Sequence, residues 1–153
     1  MPVRQAIVNY LIDDGGVFRN SLKDIPVSML TALPPDEKVV GIETILKIEN
    51  YIVKPFTKKE ILDKVADVFD QMEEMKKVSK ALLDNKVPKI ANEYEHLVNE
   101  LHRRNRVVGS MEKSLNLGLI CDTRSINDVL DKQKEMTRVM KDRIKAIRDK
   151  YDV

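Results

Sequence analysis

Tyr51-Ile52-Val53-Lys54-Pro55-Phe56-Thr57-Lys58-Lys59-Glu60 is the stretch around which this chain is organised. Residues 51–53 form a short apolar, β-branched run, the pattern of a buried strand. Thr57-x-x-Glu60 has the spacing of a capping box, in which the Thr oxygen and the Glu carboxylate satisfy free amides at a helix start. One lysine and one proline stand between them, at the carboxyl end of the strand, where open α/β sheets place their chemistry.

Upstream, residues 6–12 (AIVNYLI) are an apolar run that ends abruptly at Asp13-Asp14-Gly15-Gly16. A near-continuous apolar strand predicts burial on both faces, as in a parallel sheet. Two aspartates after a strand offer the hard oxygens that Mg²⁺ takes, although Asp and Gly are also turn residues in their own right. Residues 17–24 are spaced for a short helix, and residues 27–31 for another strand ending at Thr31. Leu33-Pro34-Pro35-Asp36-Glu37 opens a helix, with proline tolerated and acids favoured in its first turn. Its apolar spacing carries that helix to about Asn50.

The composite Y-I-V-K-P-F-T closely resembles the last strand and loop of response-regulator receiver domains. The resemblance implies that Lys54 contacts an aspartyl phosphate, that the Lys54–Pro55 bond is cis, and that Tyr51 is the switch aromatic. It also makes Asp13 and Asp14 the counterpart of the family's Mg²⁺-holding acidic pair, and Thr31 that of its phosphoryl-binding Ser or Thr. The family has five strands alternating with five helices, and its phosphate-accepting aspartate ends the third strand. Here the first helix runs straight into the counterpart of the fourth strand, so the second and third strands and helices have no match. The resemblance covers residues 5–69 in two blocks and omits the reactive centre. It implies a degenerate, truncated receiver with a remnant site of Asp13, Asp14, Thr31, Tyr51, Lys54 and Pro55. In such a remnant Lys54 would pair with the two aspartates across the strand ends.

Beyond Thr57 the apolar residues recur three or four apart in three long segments. The stripes are Ile61, Val65, Val68, Met72, Met75 and Leu82; then Ile90, Tyr94, Leu97, Leu101, Val108, Met111 and Leu115; then Ile126, Leu130, Met136, Met140, Ile144, Ile147 and Tyr151. Pro88 stands just inside the second segment, Gly109-Ser110 is a possible kink, and Ser125-x-x-Asp128 is a candidate cap for the third. Three helices of similar length with short loops predict an up-down-up antiparallel bundle. The expected fold class is therefore α/β plus all-α. A small parallel three-stranded receiver-like platform (1–69) shares its last helix with a three-helix bundle (57–153).

Charge and composition restrict the function. Residues 1–56 hold six Lys/Arg against seven Asp/Glu, and residues 57–153 hold 21 against 18. Neither half is a polybasic arm, so nucleic acid and anionic membrane are not favoured partners. Cys121 is alone, which rules out an internal disulfide. The sequence has neither a signal-peptide pattern nor an apolar run of about eighteen residues, and a cytoplasmic protein is expected. His96 and His102 lie about 240° apart on a helix and cannot face one metal together. His96, beside the stripe residue Leu97, is expected on the surface, and its flanks lack the motif of phosphate-accepting helices. Arg103-Arg104-Asn105-Arg106 spreads around the helix and reads as a solvated face.

The sequence contains no Gly-rich phosphate loop, no zinc spacing and no nucleophile triad. The expectation is a non-enzymatic, phosphorylation-independent scaffold without a cofactor, Mg²⁺ at Asp13 and Asp14 excepted. It would bind other proteins of a signalling pathway through the bundle and the segment around Tyr51. The alternative is a phosphorelay component with His96 as acceptor. A small sheet with open apolar edges also predicts a homodimer, joined through residues 6–12 or the 57–82 helix.

Overall fold

A computed structural model of the chain describes residues 26–32 and 48–153. Three long helices carry most of it: α1 (Lys58–Asp84), α2 (Pro88–Asn116) and α3 (Thr123–Tyr151). Local chemistry sets their ends. The Thr57 hydroxyl accepts the Glu60 N–H at 3.1 Å and opens α1. The Glu60 carboxylate does not turn back to Thr57. It accepts from Lys113 Nζ at 2.8 and 3.0 Å, so only the threonine half of the capping box forms. Pro88 occupies the first turn of α2, where its missing N–H costs nothing. The cap of α3 is Asp122 rather than Ser125, whose N–H donates to Asp122 Oδ1 at 3.2 Å.

α2 continues through Gly109-Ser110 without a break and stops at Gly118, which has a φ of 67°. There the Gly118 N–H reaches the Leu115 carbonyl at 3.0 Å and the Leu119 N–H that of Ser114 at 2.9 Å. These are the two crossed bonds of a left-handed helix terminus. α1 ends the same way around Lys86, whose φ is 58°.

Neighbouring helices are antiparallel. Along the α1–α2 seam Glu60 meets Lys113, Asp67 meets Arg106, Gln71 meets Asn99 and Ser79 meets Glu95. Across α2 and α3, Glu93 meets Arg143 and Glu112 meets Lys134. One apolar cluster joins all three helices through Met75, Val78, Leu82, Ala91, Tyr94, Val98 and Ile147. A second, toward the other end, joins α2 and α3 alone through Val107, Met111, Ile126, Val129 and Leu130. The up-down-up bundle is present.

The expected three-stranded receiver-like sheet is not the architecture. Of the described residues 75% are helical, and the sheet they form has two short strands. β1 (Ser28–Thr31) pairs in parallel with β2 (Asn50–Val53), in register from Ser28↔Asn50 to Thr31↔Val53. Asn50, expected at a helix end, is thus a strand residue. β2 is buried throughout, whereas β1 exposes Ser28 and Leu30 and so is not buried on both faces. The physical reason lies in what β2 leans on. The alternate carbonyls of Tyr51 and Val53 accept from the Ser110 hydroxyl and from Lys113 Nζ, side chains of α2. Among the described residues a ribbon two strands wide, fixed by a helix, stands where a layered α/β platform was expected. The expected strand at 6–12 and helix at 17–24 lie outside the described residues, as does the helix expected from residue 33 through residue 47. Among the described residues no helix is long and apolar enough to cross a membrane.

Candidate functional site

The ribbon meets the bundle along one row of α2. Arg103, Arg106, Ser110 and Lys113 follow one another at three- and four-residue steps, which places them on one helix face. Each reaches toward β2 or the residue before it. Arg103 donates through Nε and Nη2 to Glu49 Oε1 at 3.1 and 2.7 Å, and Arg106 Nη1 lies 3.3 Å from Glu49 Oε2. The remaining Arg106 donors reach Asp67 Oδ2 at 3.0 and 2.9 Å and Gln71 Oε1 at 2.7 Å, both on α1. Gln71 in turn donates to Asn99 on α2 at 3.1 Å. Lys113 gathers the carbonyls of Val53 and Pro55 at 3.1 and 2.7 Å, besides the Glu60 carboxylate.

Arg106 and Glu49 are 9% and 7% exposed, so these charges sit where an unpaired ion would be costly. Two guanidiniums facing two carboxylates satisfy one another there. The hydroxyl and carboxylates of the arrangement are engaged: Ser110 donates to the Tyr51 carbonyl, and Glu49, Asp67 and Glu60 accept from Arg103, Arg106 and Lys113. Its chemical effect is to fix the ribbon, and with it the Lys-Pro loop, on the α1–α2 hairpin.

The residues expected to form a remnant site are only partly brought together. Lys54 N–H donates to the Thr31 carbonyl at 2.8 Å, so these two are joined through the backbone at the carboxyl ends of paired strands. The Lys54 side chain is exposed. The Lys54–Pro55 bond is cis, the isomer found in the family that the motif resembles. Tyr51 is 3% exposed and packs with Val53 and Met29, so it is a core residue and not part of a presented surface. Asp13 and Asp14 lie outside the described residues. Among the described residues no group of three His, Cys, Asp or Glu side chains is placed to hold a metal ion.

His96 is exposed on α2, as its place beside Leu97 suggests. His102 is half-buried, and burial first, then the Arg106 cation, hold its imidazole below the ordinary value, against the pull of Asp67 and Glu49.

The arginine cluster is the main feature that sequence reasoning missed. Arg103 and Arg106 grip Glu49, while Arg104 pairs with Glu100 at 2.8 Å and donates to Gln133 of α3 at 2.7 Å. The stretch expected to be solvated is the junction of the molecule. The available signal was the polar row 103, 106, 110, 113, which keeps helical phase over ten residues alongside the apolar stripe.

Comparison of the chain with protein-family models, with curated proteins and with solved structures finds no match.

Proposed function

We propose that this chain is a phosphorylation-independent scaffold of a signalling pathway, acting by protein–protein contact and not by catalysis. The observation that carries the reading is the distribution of its chemistry. The charged side chains that converge on β2 pair with one another, whereas apolar side chains stand in helical rows on the outside. Leu62, Val65 and Phe69 of α1 are 57%, 39% and 59% exposed, and Met136 and Val139 of α3 are 42% and 59% exposed. Rows of apolar side chains held in water on a rigid helix are the material of partner surfaces. The Lys-Pro motif is read as what remains of a receiver that has lost its phosphate-accepting strand, which is why no phosphate control is assigned.

Two measurements test this. After incubation with acetyl phosphate and Mg²⁺ the intact mass should gain no stoichiometric phosphoryl group. A gain abolished by Asp13→Ala would overturn the reading, and one abolished by His96→Ala would establish the phosphorelay alternative. In native extract, cross-linked partners should be retained by the unmodified chain and released by Val139→Asp with the melting temperature unchanged. Capture indifferent to both Val139→Asp and Phe69→Asp would count against a binding role for the helices.

A further inference from the structure

We propose that the outer face of α1 binds a second copy of this chain, the two α1 helices lying antiparallel about a two-fold axis between Val65 and Ala66. The proposal goes beyond the scaffold reading, which names no partner and does not require a dimer. It starts from the phase of the helix. Val68, Gln71 and Met75 are buried against the rest of the bundle, and Leu62, Val65 and Phe69 project from the other side. These three recur at i, i+3 and i+7, which makes a straight apolar ridge two turns long.

Charge selects the occupant. Lys58 stands one turn before Leu62, and Glu73 stands one turn after Phe69. An antiparallel alignment that places Leu62 on the partner's Phe69 places Val65 on the partner's Ala66 and Lys58 opposite the partner's Glu73. A two-fold axis repeats each contact, so four apolar pairs are flanked by two ion pairs. Other alignments of the same face are worse. Sliding the copies by one turn brings Lys58 against the partner's Lys76 or leaves Phe69 against a lysine. A parallel pair sets Lys58 on Lys58 and Glu73 on Glu73. Like charges placed together select against those registers. The Lys77 contact that Glu73 already has, at 3.1 Å, is exposed on both sides and competes weakly. Three apolar side chains per copy are few beside the 20 or so residues a side of a standard interface. The dimer is therefore reversible and concentration-dependent.

Sedimentation equilibrium of the intact chain tests the assignment. A monomer of 17.6 kDa should give way to a dimer as concentration rises. Phe69→Asp should weaken the association by about tenfold or more, as for a central interface residue. Lys58→Glu and Glu73→Lys should each weaken it, and the two together should restore it, because the swapped pair is again complementary. The helical circular-dichroism signal should be the same in all four variants, since these side chains are exposed. A 17.6 kDa monomer at every concentration up to the solubility limit would overturn the proposal. So would association indifferent to Phe69→Asp, or a double swap no better than the single ones. Reduced stability of a monomeric Phe69→Asp variant would show that this chain covers its own ridge, which also overturns it. A monomer leaves the scaffold reading to its own phosphate-uptake and Val139→Asp tests, whereas a ridge covered by this chain would remove the α1 half of the exposed apolar surface on which that reading rests.

Discussion

At Glu49 a single carboxylate faces two guanidiniums, and the strength of that arrangement lies in what its removal leaves behind. Glu49→Ala would strand Arg103 and Arg106 without a partner that bonds both, at a place largely shielded from water. Breaking a buried pair from one side costs about 3–5 kcal/mol, far more than an exposed pair is worth. Urea unfolding of the variant should show a loss of that size, and a loss no larger than that of an exposed-pair variant would mean that water reaches the cluster. His102 gives the same neighbourhood a pH dependence. Its folded-state pKa lies below 6.5, so its contribution is fully present above that pH. The contribution is lost as pH falls below it and the unfolded chain takes up the proton more readily. Melting temperatures compared at pH 7 and about pH 5 should fall less in His102→Gln than in the parent chain. An identical fall in both would assign the acid sensitivity elsewhere. None of this was legible at Arg103 and Arg106, because a run of cations on a helix looks solvated until its carboxylates are placed. Those carboxylates are Glu49, which precedes a different element, and Asp67, some forty residues away. Only the three-dimensional return of the chain brings them together.

Elements were far more legible than contacts, since propensity and periodicity act within each one. The helix starts at Thr57 and Pro88 and the strands near residues 28 and 50 follow from local pattern. The third helix was recognised, but its cap was misplaced, because Asp122 and Ser125 are both good caps and only the observed bond separates them. In the first half of α1 the stripe was read through Val65, which is 39% exposed. There the face turned to α2 is polar, with Asp67 and Gln71 serving Arg106, so hydrophobic periodicity pointed to the wrong side. Two glycines carry a prediction at this scale with opposite signs. Gly109 lies inside α2 with no atom within 4 Å of an added Cβ, so Gly109→Ala should stabilise by about 1 kcal/mol, the helix-propensity difference. Gly118 has open space too, but its φ of 67° penalises any side chain. Gly118→Ala should destabilise by about 1 kcal/mol, since left-handed backbone costs an L-residue that much. Thermal melts of the two variants should move in opposite directions. If both moved down, Gly109 would be bending the helix after all.

On the scale of the whole molecule, the resemblance at residues 51–57 led to an α/β platform, whereas the described chain is a helical bundle with a two-stranded ribbon clipped to α2. A short motif reports local geometry, here strand, loop and capped helix, and cannot report how many strands its neighbours supply. The bundle was legible because three amphipathic segments with short loops have few ways to bury their stripes. What the stripes could not show is that the apolar interior comes in two clusters. Leu82 and Met111 are both 0% exposed, one in each cluster. Met111 stands about 30 Å along α2 from Ala91, the neighbour of Leu82 in its cluster. Leu82→Ala should cost about 2–5 kcal/mol, as for other large-to-small core changes, while His96→Ala on the surface should cost no more than about 0.5 kcal/mol. Because α2 and α3 run unbroken through both clusters, neither cluster can open without exposing the helices of the other. The loss at Leu82 should therefore appear in full at the far end. Hydrogen exchange of Leu82→Ala is the measurement, and the slowest amides around Met111 should lose as much protection as those around Tyr94. Protection retained around Met111 would mean that the bundle is two cooperative units, divided near Leu101.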